Sequence, residues 1–226
     1  MRDRGGAGGV RRGGLLVKSV AIVQSNYIPW RGYFDLIRAV DEFVILDSVQ
    51  FTKNDWRNRN RIAGRSGPQW LTVPVRTAGR YGQRIDEAEV ADTHWARRHW
   101  RSIVQNYGRA PRFGERAQAI EETYRQAAWE TRLSRINRLF LDRACSWLGI
   151  STRITSAEIY PGHPDRVERL IGICRAAGAA RYVSGPRAAV YLDAERFAAA
   201  GIAVEFFDYG AVREPRLSIL DEVLTA

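Results

Sequence analysis

The sequence is poor in the residues that build covalent and metal-held scaffolds. Of 226 residues, two are cysteine, three are histidine and one is methionine. Two cysteines make no disulfide framework. Cys145 and Cys174 both fall in apolar helical patterns, where a small buried hydrophobe is the expected role. Such sparse cysteine fits a reducing compartment, and a cytoplasmic location is expected. His94 and His99 are five residues apart, which does not place them on one helix face. No cysteine or carboxylate stands at ligand spacing beside them, so no metal site is expected. Arg or Asp interrupts every hydrophobic run before it reaches the length of a membrane span, and no membrane role is expected. The chain also lacks a P-loop, a Rossmann glycine fingerprint and a G-x-S-x-G elbow.

What is abundant is positive charge. The net charge is +10, which raises nucleic acid as a partner. Five basic residues against Asp3 put +4 of that charge in residues 1–18, a Gly- and Arg-rich stretch with little to bury. That stretch is expected to be a disordered basic tail, leaving residues 19–226 as a single α/β domain. The remaining excess does not favour nucleic acid. In "HWARRHW" the tryptophans at 95 and 100 suit a helix core better than a base-stacking surface, because helical aromatics are more often buried.

Periodicity organises the rest. Val20–Gln24 reads as a buried strand, Tyr33–Val40 as a helix and Phe43–Leu46 as a second strand, a unit that makes parallel neighbours. Residues 48–68 read as polar and irregular, and "WLTVPV" at 70–75 as a third strand. Residues 92–149 read as a helical block, capped by Asp92 or Thr93 and closed by Gly149. Alternation then resumes, with strands at 153–159, 181–184 and 204–207 and helices at 165–177 and 194–200, the last capped by Asp193. The pattern predicts an α/β fold, an open and mainly parallel sheet with the helical block inserted at about 92–149.

In such sheets ligands lie beyond the carboxyl ends of the strands. That rule selects the loops 24–33, 47–66 and 184–193. The segment "DSVQFTKNDWRNRNRI" from Asp47 mixes Gln50, Lys53 and Asn58 with Arg59 and Arg61, anchored by Phe51 and Trp56. Its cations suit a phosphate or carboxylate. Ser184 and Gly185 end a strand where backbone N–H groups can meet an anion, and Tyr191 follows in the same loop. His99 is a candidate general base, although a surface helical histidine is the plainer reading.

These segments together resemble the WbqC-like protein family. The resemblance runs from about residue 20 to 224. It rests on "QSNYIPWRGYFDLI", "DEFVILDSVQFTKNDWRNRNRI", "WLTVPV", "IVQNYGRAPRF", "YVSGPRAAVYLD" and "LSILDEVL" in that order. One departure is plain: the opening segment usually reads Gln-Pro, and here Gln24 is followed by Ser25, for which only a local backbone change is expected. The resemblance implies genes for O-antigen, other surface glycans or natural products. It also implies acyl or glycine transfer that makes an amide on an amine. A more distant likeness is to HIGH-motif nucleotidylyltransferases, which implies a Rossmann-like (HUP-like) fold. Gly32 keeps their glycine, while Trp30 and Tyr33 stand where they carry histidines.

On these resemblances the chain is expected to be a transferase. It would move an activated acyl or aminoacyl group to the amine of a small-molecule acceptor, with a carrier-protein thioester as donor. The protein itself would need no cofactor; phosphopantetheine would sit on an acyl- or peptidyl-carrier partner. Asp47 or His99 would be the base. Tyr33 would replace the histidine as hydrogen-bond donor, Gln24 and Asn26 would orient the acceptor, and Trp30 and Gly32 would face it. The alternatives are an ATP-dependent ligase or nucleotidyltransferase and, third, a nucleic-acid-binding module.

Overall fold

The structure, a computed structural model, describes residues 11–12, 15–190, 192–212 and 214–226. In chain order its strands are β1 (Arg11–Arg12), β2 (Leu15–Leu16), β3 (Ser19–Val23), β4 (Glu42–Ile45), β5 (Arg59–Ile62), β6 (Gln69–Thr72), β7 (Arg153–Ser156), β8 (Arg181–Ser184) and β9 (Ala203–Phe206). Its helices are α1 (Arg31–Arg38), α2 (Trp95–Tyr107), α3 (Phe113–Ala127), α4 (Leu133–Trp147), α5 (Arg166–Ala176), α6 (Ala194–Ala199) and α7 (Ile219–Thr225). The chain falls into two compact units.

The first unit comprises Met1–Val23, Asp35–Leu46 and Thr152–Tyr209. Of the expected tail, residues 1–10, 13 and 14 lie outside the described residues, while β1 and β2 form a two-residue antiparallel ladder. Five parallel strands form one sheet in the order β7-β4-β3-β8-β9. Counted along the chain this is third, second, first, fourth, fifth, the order of doubly wound nucleotide-binding sheets. The α/β expectation therefore holds. The direction of winding reverses between β3 and β8. β3 and β4 are buried along nearly their whole length, as continuous apolar runs require in a sheet covered on both faces. Val20, Ile22 and Val44 pack with Leu170, Ile171 and Cys174 of α5 and Phe197 of α6. Asp193 caps α6 as expected, accepting the Arg196 N–H at 3.2 Å, and Asp165 caps α5 through Glu168 N–H at 2.9 Å.

The second unit comprises Gln24–Phe34, Asp47–Ser151 and Gly210–Ala226, and holds the expected helical block. α2, α3, α4 and α7 share a core with Tyr27, Trp95, Tyr124 and Phe140 at its centre. Gly149 follows α4 at φ +64°, the left-handed position that glycine takes without a Cβ penalty. The start of α2 differs from expectation. His94 is its N-cap and makes no side-chain cap bond; Asp92 instead accepts the His94 N–H at 2.8 Å and pairs with Arg98 at 2.6 Å. The segment 69–72 is a strand, but not of the main sheet. It pairs antiparallel with β5, inside the stretch read as irregular. Asn60 is buried on β5, so a polar residue occupies the inward position that alternation would show as apolar.

Candidate functional site

The chain leaves β3 at Val23, and the next residues, Gln24 to Trp30, form a turn in the second unit. Of its two aromatics, Tyr27 belongs to the core and Trp30 is half-buried. Tyr27 is fully buried, edge-on to Trp95 and Phe140 with ring centroids 5.9 and 5.5 Å apart. Ile28 adopts φ +36°, a conformation that costs a β-branched residue energy and persists only where neighbours enforce it. Asn60 does so, its Nδ2 donating to the carbonyls of Tyr27 at 3.2 Å and Ile28 at 2.9 Å. The Ile219 N–H donates to the Pro29 carbonyl at 2.8 Å.

This rigid turn presents a polar cluster. Asp47, two residues beyond β4, is nearly buried and accepts the Ser25 N–H at 2.8 Å. The Ser25 side chain bonds the same carboxylate, and Ser25 Oγ accepts from Asn137 Nδ2 at 3.0 Å. Asn137 Nδ2 also donates to the Arg57 carbonyl at 2.9 Å. The Arg57 guanidinium donates to Gln24 Oε1 at 2.9 Å and to Asn26 Oδ1. Asp86 is tied in through its N–H, which donates to the Asp47 carbonyl at 3.1 Å. Burial pushes the Asp47 carboxyl above the ordinary value. The Ser25 bonds and the Arg57 charge pull the other way, Asp86 adds to the rise, and the net direction is upward. The cluster thus holds a desolvated carboxylate with raised basicity beside two amides oriented by one guanidinium.

Loops 24–33 and 47–66, selected from sequence, are joined by these bonds. Within them the expected residues divide. Tyr33 donates its hydroxyl to the Gln24 carbonyl at 2.9 Å. Gly32 makes room for Trp30: a Cβ there would lie 2.2 Å from the indole. The Arg216 guanidinium lies 5.0 Å from the centroid of that ring. Asn58 is buried and donates to the Val73 carbonyl at 2.9 Å. Gln50 and Lys53 are exposed. Arg59, Arg61 and Trp56 gather instead around Trp70 on the β5–β6 hairpin. Ser184 and Gly185 belong to the first unit. There Ser184 is buried and a Cβ on Gly185 would lie 3.3 Å from the Tyr209 hydroxyl. Tyr191 lies outside the described residues.

His99 is not a surface residue. It is 6% exposed, with Nδ1 2.9 Å from the Tyr27 hydroxyl and Nε2 3.2 Å from the Thr72 carbonyl. The carbonyl can only accept, so Nε2 carries the proton and Nδ1 accepts from Tyr27. Burial lowers its pKa to about 4.

The cluster also contains residues that the sequence does not mark as site residues: Ser25, Arg57, Asp86 and Asn137. Arg57 stood among other arginines of one polar segment. Asn137 comes from α4, 112 residues beyond Ser25, and nothing local to its helix marks it. Among the described residues no group of three or more His, Cys, Asp or Glu side chains is placed to hold a metal ion, and no helix is long and apolar enough to cross a membrane.

Fold and cluster together define an α/β protein whose polar site follows the first strand of a parallel sheet. The WbqC-like protein family model matches residues 24–225, and the chain belongs to that family. It is 48% identical over 214 residues to the uncharacterized protein Rv1507c of Mycobacterium tuberculosis, covering 91% of this chain and 92% of that one. No solved structure matches.

Proposed function

We propose that the protein is a cytoplasmic transferase that forms an amide. It would move an activated acyl or glycine-like aminoacyl group from a carrier-protein thioester to the amine of a glycan or natural-product intermediate. The observation that carries this reading is Asp47, a nearly buried carboxylate with raised pKa, held at the end of a rigid turn. A thioester is already activated, so the protein must position the amine, take its proton and steady the developing oxyanion. The amine nitrogen bonds to the carbonyl carbon, the C–S bond breaks, Asp47 takes the amine proton and the thiolate departs to be protonated. Gln24 and Asn26 turn their amide oxygens to Arg57, which leaves their NH2 groups as donors toward the acceptor or the oxyanion. The base role falls to Asp47 rather than His99, because both His99 nitrogens are engaged inside the core.

The test supplies carrier-bound glycyl and acyl thioesters with amino-sugar acceptors and follows amide product by mass spectrometry. Product that Asp47→Asn and Asp47→Ala both form at the wild-type rate would sink the assignment. The strand order favours a second reading, an ATP-dependent ligase, by fold analogy alone. Calorimetry with ATP and magnesium separates the two, since thioester transfer has no ATP requirement.

A further inference from the structure

We propose that the outer face of the β5–β6 hairpin binds a diphosphate, and that its ligand is a nucleoside diphosphate carried by the amine acceptor; the word acceptor rests on the proposed amide transfer. Strand alternation sends Asn60, Ile62 and Leu71 inward, where they are buried, and leaves Arg59, Arg61 and Trp70 on the other face. Register places Arg61 directly opposite Trp70. Trp56 joins them, its ring centroid 5.6 Å from that of Trp70. The two indoles are 36% and 43% exposed, unusual for tryptophan.

The guanidinium of Arg59 lies 4.2 Å from the Trp70 ring, and that of Arg61 lies 5.6 Å from Trp70 and 5.8 Å from Trp56. A guanidinium stacked on an indole uses its flat face and keeps its in-plane N–H donors for an anion. Other arginines of the second unit are ion-paired: Arg57 with Asp55, Arg80 with Glu89, Arg84 with Asp86. Among the described residues no carboxylate pairs with Arg59 or Arg61, and Arg61 Nε is buried without a hydrogen-bond partner. Two guanidiniums gathered on one indole concentrate charge over an area suited to two linked phosphates, rather than spreading it along a polymer track. The exposed Trp56 offers a π face on which a base can stack.

The test titrates the full chain with UDP, UMP, pyrophosphate, 4′-phosphopantetheine and single-stranded RNA at fixed ionic strength. It reads tryptophan fluorescence with no acyl donor present. UDP is expected to bind, pyrophosphate to compete with it, and UMP to bind about tenfold more weakly. Arg59→Ala, Arg61→Ala and Trp70→Ala should each weaken UDP about tenfold or more, without rescue by Arg59→Lys. Arg98→Ala on α2 serves as the unaffected control. If an alanine variant fails to fold by circular dichroism, Arg59→Gln and Arg61→Gln are scored in its place. UDP affinity untouched by the arginine variants, UMP binding as well as UDP, or hairpin-dependent binding of only phosphopantetheine or RNA would each overturn the proposal. Hairpin-dependent UDP binding without amide product from any acceptor would leave this site standing and remove the transferase reading. Asp47-dependent amide product without UDP binding would do the reverse.

Discussion

Glu42 and Asp47 bracket β4, five residues apart, and their carboxyls are pushed in opposite directions. Glu42 opens the strand in the first unit. It accepts from Lys18 Nζ and Thr155 Oγ1, each at 2.7 Å, and from the Tyr160 hydroxyl. Burial works against its charge, but those three bonds outweigh it and hold its carboxyl below the ordinary value. Asp47, in the second unit, receives only the Ser25 bonds and a more distant Arg57, with Asp86 opposing, and its carboxyl is raised. A buried carboxylate with its lone pairs filled is a structural element. One left short of partners is reactive toward protons. The linkage differs accordingly. Glu42 contributes stability above its unfolded pKa that is lost as pH falls through the depressed folded value. Asp47 costs stability as pH rises through its raised value, a cost that a base near a substrate amine must carry.

The largest expected effect tests that contrast directly. Asp47→Asn keeps size and most bonds but cannot take a proton, so amide formation should fall by about 10²–10⁴-fold with little change in melting temperature. Glu42→Gln should do the opposite. It leaves Lys18 without its carboxylate and should cost on the order of 2 kcal/mol in urea unfolding, with turnover per folded molecule unchanged. Loss of turnover in Glu42→Gln at temperatures where it remains folded would erase the distinction between the two carboxylates.

His99 sharpens it, because it shares a unit with Asp47 yet is bonded as fully as Glu42. Its folded pKa of about 4 lies below the unfolded value of about 6.5. The unfolded chain therefore binds the proton first as pH falls. Stability should be full above pH ~6.5 and decline toward pH ~4, a loss of about 3 kcal/mol over that window. His99→Gln, whose amide can still donate to Thr72 and accept from Tyr27, should be less stable at neutral pH but flatter between those limits. Parallel urea curves for the two proteins across that range would contradict the buried, neutral assignment.

The sequence made the sheet readable because β3 and β4 are rich in Val, Ile and Phe, and Asp193 and Gly149 punctuate the helices in the expected way. The β5–β6 hairpin was hidden by Asn58 and Asn60, whose burial serves hydrogen bonding to backbone carbonyls rather than apolar packing. The segment "LSILDEVL" folds into α7, whose four buried residues, Ile219, Leu220, Val223 and Leu224, need their packing partners to declare their face. The same limit governs the site. Asp47 was visible at a strand end, but the partners that set its basicity come from residues 25, 57, 86 and 137. Charge alone gave no ranking among the arginines. The structure separates Arg57, which organises the polar cluster, from Arg59 and Arg61, whose guanidiniums lie over tryptophan rings.

Ser25 gives the smallest effect and the most specific one. Where the family's opening segment usually carries proline, this chain has a residue whose N–H and side chain both bond Asp47. The difference is therefore chemical and not only a change of backbone path. Ser25→Ala removes the side-chain bond, and Ser25→Pro removes the N–H as well, since proline has none to donate. Each lost bond favoured the charged carboxylate, so the Asp47 pKa should rise in the order wild type, Ser25→Ala, Ser25→Pro. Asn137 also loses an acceptor in both variants, a cost of about 1 kcal/mol that should appear equally in their unfolding curves. A carboxyl-carbon NMR titration of Asp47 reads the pKa order without any substrate, and the acid limb of the pH–rate profile should follow it. Three coincident titrations would mean that burial and Asp86 alone set Asp47, and that Ser25 is one more packed residue of the turn.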